Sequence, residues 1–319
     1  MANRILITGA AGFIGSHLAD VLLQTGNHVM GIDNFDPFYD RSIKEVNISS
    51  ALKSKLYHFR EGDIRDVAFI NECFSGFNPD VIVHLAAKAG VRPSLVNSEA
   101  FYDVNVMGTL KILEAMKKNK IGNLIFASSS SVYGNNKKVP FSEEDDVNNP
   151  ISPYAASKKS GELLCYTYHH LYNMNVFCLR FFTVYGPRQR PDLAINKFTR
   201  AMMKGDKIYI YGDGTTSRDY THIKDIIYGI IRSVEKVKGF DIFNLGESNT
   251  VTLTMLISLL EKYIDRKAEV NYLPLQEGDV LQTVADITKA RKMLNFNPVM
   301  DIERGIKDYV DWYKSINGR

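Results

Sequence analysis

Ile5-Leu6-Ile7-Thr8-Gly9-Ala10-Ala11-Gly12-Phe13-Ile14-Gly15 passes from a β-branched run, through glycines, into a helical pattern. The residues before Gly9 read as a strand. From Phe13 onward, apolar residues at Phe13, Ile14, Leu18, Val21 and Leu22 recur with helical period. A strand that turns sharply into a helix through glycine brings backbone N–H groups close to a pyrophosphate, whose charge the helix N-terminus favours. The next strand pattern, His28–Ile32, ends at Asp33. An acid there accepts hydrogen bonds from ribose hydroxyls and repels a 2′-phosphate. The residues that follow, Asn34-Phe35-Asp36, carry no cation. NAD is therefore expected rather than NADP.

Further strand patterns follow at Leu56–Arg60, Val81–Leu85, Leu124–Ala127 and Val176–Leu179. Helical stretches lie between most of them, notably Val104–Lys118 and Ala155–Tyr172. Strands alternating with helices predict an α/β fold, a doubly wound Rossmann-type parallel sheet with ligands at the carboxyl ends of its strands. After Arg180 the elements shorten and turn residues multiply. Residues 1–180 are expected to form the cofactor-binding domain, with later segments returning to it. Residues 181–319 are expected to form mainly a smaller mixed α/β substrate lobe. Asn135–Pro150 is acidic and turn-rich and reads as a surface loop. Asp63, closing the third strand, has two readings: it binds the adenine amino group or it caps the next helix.

Composition narrows the function classes. The chain has 319 residues, of which 45% are hydrophobic, and a net charge of +3. Its basic runs (Lys117-Lys118-Asn119-Lys120 and Lys137-Lys138) are too short for a nucleic-acid stripe. Three cysteines, none at C-x-x-C spacing, favour reduced thiols over a disulfide framework. No apolar run reaches the ~18–20 residues that span a bilayer. Met1-Ala2-Asn3-Arg4 runs straight into a strand, leaving no room for a signal peptide. A cytoplasmic protein without membrane or nucleic-acid partners is expected. His169 and His170 face different sides of a helix, so no metal site is expected.

The chemistry is read at Ser152-Pro153-Tyr154-Ala155-Ala156-Ser157-Lys158. Tyr154 and Lys158 stand at i and i+4 and share one helix face. The ammonium favours the phenolate, and such a phenol can take a proton from a sugar hydroxyl and return it. Alone, Tyr154 reads as a core tyrosine and Lys158 as a solvated lysine. Behind a dinucleotide turn, they point to nicotinamide redox chemistry. Ser128-Ser129-Ser130-Ser131-Val132-Tyr133-Gly134 follows the fifth strand and can supply a hydroxyl beside Tyr154. Ser130 and Ser131 read as turn serines.

In order along the chain, the glycine triplet, His84-Leu85-Ala86-Ala87, Asn105, the serine run, Tyr154-x-x-x-Lys158 and Ser217-Arg218-Asp219-Tyr220 resemble the extended short-chain dehydrogenases/reductases that act on nucleotide sugars. The resemblance implies catalytic roles for Tyr154, Lys158 and Ser129. It implies cofactor contacts from Gly9, Gly12, Phe13, Ile14, Gly15, Asp33, Asn34, Asp63, Ile64, Leu85, Ala86, Ala87, Asn105, Tyr154 and Lys158. Members that dehydrate or decarboxylate usually carry acids in the serine region. Here Ser130 and Ser131 stand instead, which resembles 4-epimerases. Phe181-Phe182-Thr183-Val184-Tyr185-Gly186-Pro187-Arg188-Gln189-Arg190-Pro191-Asp192 is similar to UDP-glucuronate 4-epimerases.

The implied activity is inversion of C4 of a UDP-hexose through a 4-keto intermediate, most simply UDP-glucuronate to UDP-galacturonate. UDP-glucose and UDP-N-acetylglucosamine are the alternative substrates. A reductase or dehydratase of the same fold, or a non-catalytic dinucleotide sensor, is the rival reading. Ser129, Thr183, Arg190, Tyr211, Arg218 and Asp279 are the implied substrate contacts. Arg218 would grip the diphosphate, or else form a salt bridge with Asp219 or Asp225. A homodimer through a four-helix contact of Val104–Lys118 and Ala155–Tyr172 is also implied.

Overall fold

The computed structural model describes residues 3–274 and 280–318. Six strands, β1 (Arg4–Thr8), β2 (His28–Asp33), β3 (Tyr57–Glu61), β4 (Val81–His84), β5 (Asn123–Ser129) and β6 (Asn175–Phe181), join the strand Phe240–Leu245 in a seven-stranded sheet. The order is Phe240–Leu245, β6, β5, β4, β1, β2, β3. All pairings from β6 across to β3 are parallel. The chain winds outward from β1 to β3, then returns to lay β4 on the other side of β1. That reversal puts the ligand crevice of such a sheet at the carboxyl ends of β1 and β4, where Thr8 pairs with His84.

Helices cover both faces of such a sheet, so its strands are apolar throughout. Ile5, Leu6, Ile7, Ile82, Val83, Leu124 and Ile125 are all buried. Leu6, Ile82, Leu124 and Val176 share one core with Phe74, Phe77, Ile112, Leu113 and Met116 from the covering helices. Each such side chain contributes about 1.5–3 kcal/mol on full burial.

Contacts divide the chain into two compact units. The first holds residues up to Asn135, Glu143–Phe181 and Ile227–Phe243; the second holds Asn136–Ser142, Phe182–Ile226 and the chain from Asn244 on. The second unit has its own core, with Tyr185, Ile195, Ile210, Leu256, Leu260, Ile306 and Tyr309 at its centre. Its strands are short pairs: Thr183–Tyr185 beside Tyr220–His222, and Ile208–Tyr211 beside Val270–Leu273. Asp219 ties it together. Its carboxylate accepts from the backbone N–H groups of Glu247, Ser248 and Ala285 at 2.7–3.0 Å and from the Thr221 hydroxyl at 3.1 Å.

The segment expected as a surface loop differs. Phe141 is 1% exposed, and its N–H donates to Val284 O at 2.7 Å while its carbonyl accepts from Asp286 N at 2.9 Å. An aromatic ring inside an acidic stretch had a core to enter, and its backbone found a partner far along the chain. The helix expected over Val104–Lys118 is also interrupted. Asp103–Gly108 is a π-helical stretch, and the α-helix resumes at Thr109–Lys118.

Candidate active site

At the end of β1 the glycines fit close backbone approach. Gly9 takes φ +72°, and a Cβ there would lie 2.8 Å from Ala86 N. A Cβ on Gly15 would lie 2.2 Å from Gly9 O. The helix Phe13–Gln24 begins at once, with Gly12 at its N-cap. Phe13, Ile14 and Gly15 thus offer the first-turn N–H groups that lack an intrahelical acceptor. The Phe13 ring itself is buried, edge-on to His17. The cradle therefore suits a dinucleotide pyrophosphate.

Asp33 closes β2 and is buried. One oxygen accepts from Ala11 N at 3.0 Å and the other from Phe35 N at 2.9 Å. The sequence reading found no cation next to it in the chain, but one lies next to it in space. Lys44, itself 6% exposed, places Nζ 3.6 Å from Asp33 Oδ1. It comes from the helix Arg41–Ile48, whose inward face also sends Asn47 Nδ2 to Ala11 O at 3.1 Å. At that distance the Lys44 ammonium offsets the carboxylate charge.

Asp63 does not cap the following helix; Asp66 does, accepting from Ala68 and Phe69. Asp63 instead accepts from Asn34 Nδ2 at 2.9 Å, and Arg65 holds its carboxyl down to about 2. Ile64 is buried, its Cδ1 close against Gly108 in the π-helical stretch. Leu85, Ala86 and Ala87 leave the end of β4 half-exposed at the switch point. Ala86 N donates to Thr8 Oγ1 at 3.2 Å. Asn105 is buried in the π stretch. It accepts from Lys88 N at 2.8 Å, donates to Lys88 O at 2.9 Å, and donates to Ser157 Oγ at 2.9 Å.

The helix Pro153–Tyr172 carries Tyr154 and Lys158. Its start is well specified: Ser152 Oγ accepts from Ala155 N at 3.1 Å, and Pro153 occupies the first turn. Asn173, at φ +53°, stops it. Tyr154 is half-buried and edge-on to Phe101, with ring centroids 6.0 Å apart. Lys158 is no solvated lysine. It is 5% exposed, donates to Ala127 O at 2.8 Å, and burial pushes it down to about 8. At neutral pH it keeps most of its charge.

Ser129 ends β5 at the same edge. Its hydroxyl accepts from Ser131 N and donates to Ser131 Oγ, both at 3.1 Å. The turn-forming role expected of Ser130 and Ser131 thus falls partly on Ser129, which must swing its proton to reach a ligand. Sequence reasoning missed the support beneath it. Ser128 Oγ donates to Glu162 Oε1 at 2.6 Å, and Arg180 grips both Glu162 oxygens at 2.9 Å. Arg180 also donates to the Tyr133 hydroxyl at 3.0 Å. Glu162 and Arg180 are each 1% exposed. An arginine inside the apolar run Val176–Phe182 was the available signal.

The second unit holds the other implied contacts. Thr183 is half-buried, with its N–H on Asp219 O at 3.0 Å. Arg190 forms a two-pronged pair with Asp192, at 2.9 and 2.7 Å. Tyr211 ends the strand Ile208–Tyr211, half-buried. Arg218 Nη1 donates to Ser217 O at 3.0 Å and Leu281 O at 3.3 Å. Neither acid proposed as its salt-bridge partner is idle: Asp219 holds the N–H groups described above, and Asp225 accepts from Val299 N and Met300 N at 3.1 Å. Asp279 lies outside the described residues. Among the described residues no cluster of His, Cys, Asp or Glu could hold a metal ion, and no helix is long and apolar enough to cross a membrane.

Residues 6–309 match the family described as GDP-mannose 4,6 dehydratase. The UDP-glucuronate 4-epimerase of Thermodesulfobacterium geofontis is 43% identical over 310 residues, 97% of this chain and 95% of that protein. UDP-glucuronic acid 4-epimerase of Bacillus cereus, solved with UDP-glucuronic acid and NAD, aligns with a TM-score of 0.92 at 38% identity, covering 98% of this chain and 99% of that one. UDP-glucose 4-epimerase of Thermotoga maritima, solved with UDP-glucose, gives 0.90 at 32% identity, with 98% and 99% covered. Sequence and fold agree, and the chain belongs to the GDP-mannose 4,6 dehydratase family of extended short-chain dehydrogenases/reductases.

Proposed function

We propose that this chain is an NAD-dependent epimerase that inverts C4 of UDP-glucuronate through a 4-keto intermediate, giving UDP-galacturonate. The family's name alone points elsewhere, to dehydration. The observation that carries our reading is the turn after β5. Eliminating water from a 4-keto sugar needs an extra acid/base to move the C5 proton and the leaving hydroxyl. The turn Ser130–Tyr133, beside the phenol-bearing helix, presents serines where a dehydratase places acids. Tyr154 and Lys158 suffice for epimerisation.

Gly9, Gly12, Gly15 and the first-turn N–H groups would hold the pyrophosphate of NAD, and Asp33 its ribose. When bound, NAD supplies a hydride acceptor that takes hydrogen from C4 and returns it to the opposite face. Tyr154, as phenolate, takes the 4-OH proton and later gives it back. Lys158 supplies the positive charge that favours the phenolate, and Ser129 donates to the sugar O4. Thr183, Tyr211 and Arg218 are the proposed UDP-sugar contacts, with Asp279 as a further one. A 4-keto glucuronate is a β-keto acid, prone to lose CO₂, so its carboxylate must be held still. Arg190 and Thr183 are proposed for that task.

One observation favours a neutral sugar such as UDP-glucose instead: Arg190 already faces a carboxylate, Asp192. The relatives named for UDP-glucuronate, at 43% and 38% identity, outweigh it against 32% for the UDP-glucose enzyme. We further propose a cytoplasmic homodimer. Cys73, Cys165 and Cys178 are unpaired and buried. Met107, Leu163 and Tyr166 expose apolar surface on the helical stretches that would pair.

Purified protein incubated separately with UDP-glucuronate, UDP-glucose and UDP-N-acetylglucosamine, with no cofactor added, tests this reading. UDP-galacturonate should form, with no net NADH. A product lighter by one water, or net NADH consumption, would overturn it.

A further inference from the structure

Between the glycine turn and the tyrosine helix runs a chain of buried polar groups centred on His84. Its imidazole is 2% exposed. Nδ1 lies 2.7 Å from Thr8 Oγ1, and Nε2 lies 3.1 Å from Thr109 Oγ1. Proton counting fixes its form. Thr109 Oγ1 lies 2.6 Å from Asn105 O, which can only accept, so the hydroxyl proton of Thr109 is committed there. Thr109 must then accept from His84, which requires Nε2–H. The bare Nδ1 accepts from the Thr8 hydroxyl, whose oxygen in turn accepts from Ala86 N.

The chain of bonds therefore has one direction. It starts at Ala86, the residue that packs against Gly9, and ends at the carbonyl of Asn105. From there the Asn105 side chain donates to Ser157 Oγ, and Ser157 donates to the carbonyl of Tyr154 at 2.8 Å.

We propose that His84 is a positioning residue: a neutral, Nε2-protonated imidazole that sets the glycine turn and the tyrosine-bearing helix in register through Thr8 and Thr109. Burial, and then the charge of Lys158, hold the imidazole down to about 3, so it stays neutral. That neutrality matters, because an imidazolium would add a second cation near Lys158. The π stretch belongs to the same chain, since it carries Asn105, which serves Lys88, Ser157 and Thr109 at once. Such departures from α-helical bonding gather at functional sites. The proposal rests on the reading of Tyr154 as the proton-transferring group.

Two conservative variants separate the two arms. His84→Asn keeps an acceptor near Nδ1 and loses the donor to Thr109. His84→Gln keeps a donor near Nε2 and loses the acceptor for Thr8. In the holoenzyme, H84N should retain NAD but lose about tenfold or more in kcat, the scale expected when a catalytic group is slightly misplaced. H84Q should keep kcat per bound NAD within about threefold of wild type while releasing NAD faster. The KM for the UDP-sugar should stay level in both.

Nitrogen-15 NMR of histidine-labelled wild type should show a pyrrole-like Nε2 and a pyridine-like Nδ1 at His84. That readout does not depend on turnover, so it stands even if the epimerase reading fails. It also decides the question if a variant does not fold. The opposite tautomer, or H84N and H84Q losing NAD and kcat in equal proportion, would overturn the proposal.

Discussion

The two units solve the same problem, placing charged groups where they can act, in opposite ways. In the first, each buried charge sits at the carboxyl end of a strand or on the helix beside it, and each has a named polar partner: Asp33 with Lys44, Glu162 with Arg180, Lys158 with the Ala127 carbonyl. In the second, charge is spent on the unit's own loops. Asp219 gathers three backbone N–H groups, Arg190 faces Asp192, and Arg218 reaches carbonyls of its own unit. A parallel sheet fixes positions through its ladder, so chemistry common to a family can be built there once. On the proposed function, specificity falls to loops whose charges can be exchanged singly.

The sharpest way to break this comparison is at Tyr154. If the first unit carries the chemistry, Tyr154→Phe should fold, melt within about 1 kcal/mol of wild type and still hold NAD, since a half-buried phenol loses one hydroxyl. Turnover should fall about 10²–10⁴-fold, the range for a lost general base. Product formation measured against bound NAD checks it. A variant that keeps its rate would remove the base and return the proton transfer to another group.

Stability should rank the two units next. Removing Glu162 strands Arg180, which is 1% exposed, so Glu162→Ala should cost about 3–5 kcal/mol. Adding Arg180→Leu should recover much of that, because a buried pair replaced by apolar groups is often neutral. Asp219→Asn keeps the shape but turns one acceptor oxygen into a donor facing backbone N–H groups, for about 1–3 kcal/mol. Burial raises Asp219 to about 6 against those donors, above its unfolded value, so the wild type takes up a proton on folding and gains stability as pH falls below 6. The Asn variant cannot follow, so its deficit should grow between about pH 6 and pH 4. Thermal melts of the three variants read the ranking, and an Asp219→Asn loss larger than that of Glu162→Ala would reverse it.

How much was legible follows from the same contrast. The strands of the first unit announce themselves, because a strand covered on both faces is apolar throughout. Gly9 and Gly15 announce the turn, because no Cβ fits there. Lys44 stayed hidden because its meeting with Asp33 depends on how a short helix is docked, not on its place in the chain. The π stretch stayed hidden because the side-chain partners of Asn105 within it, Lys88 and Ser157, lie far off along the chain. In the second unit little was legible beyond the existence of short elements. Phe141 finds its partner at Ala285, nearly half the chain away, and no local pattern foretells that.

The smallest effect is the one that most sharpens the comparison. Asp192 takes two of the five N–H donors of the Arg190 fork, with side chains 18% and 30% exposed. A pair that open to water is worth about 0–1 kcal/mol, so it can be traded for a substrate carboxylate at little cost. If Arg190 clamps the glucuronate carboxylate, Asp192 competes with it. Asp192→Asn should then lower the KM for UDP-glucuronate by up to about fivefold, the equivalent of 1 kcal/mol, and leave UDP-glucose unchanged. Arg190→Ala should move the two substrates in the opposite sense, raising KM for the charged sugar alone. A rise in the UDP-glucuronate KM with Asp192→Asn would mean that Asp192 aims the fork rather than blocks it. No change in either variant would move the carboxylate clamp elsewhere, leaving the loop charges of the second unit structural.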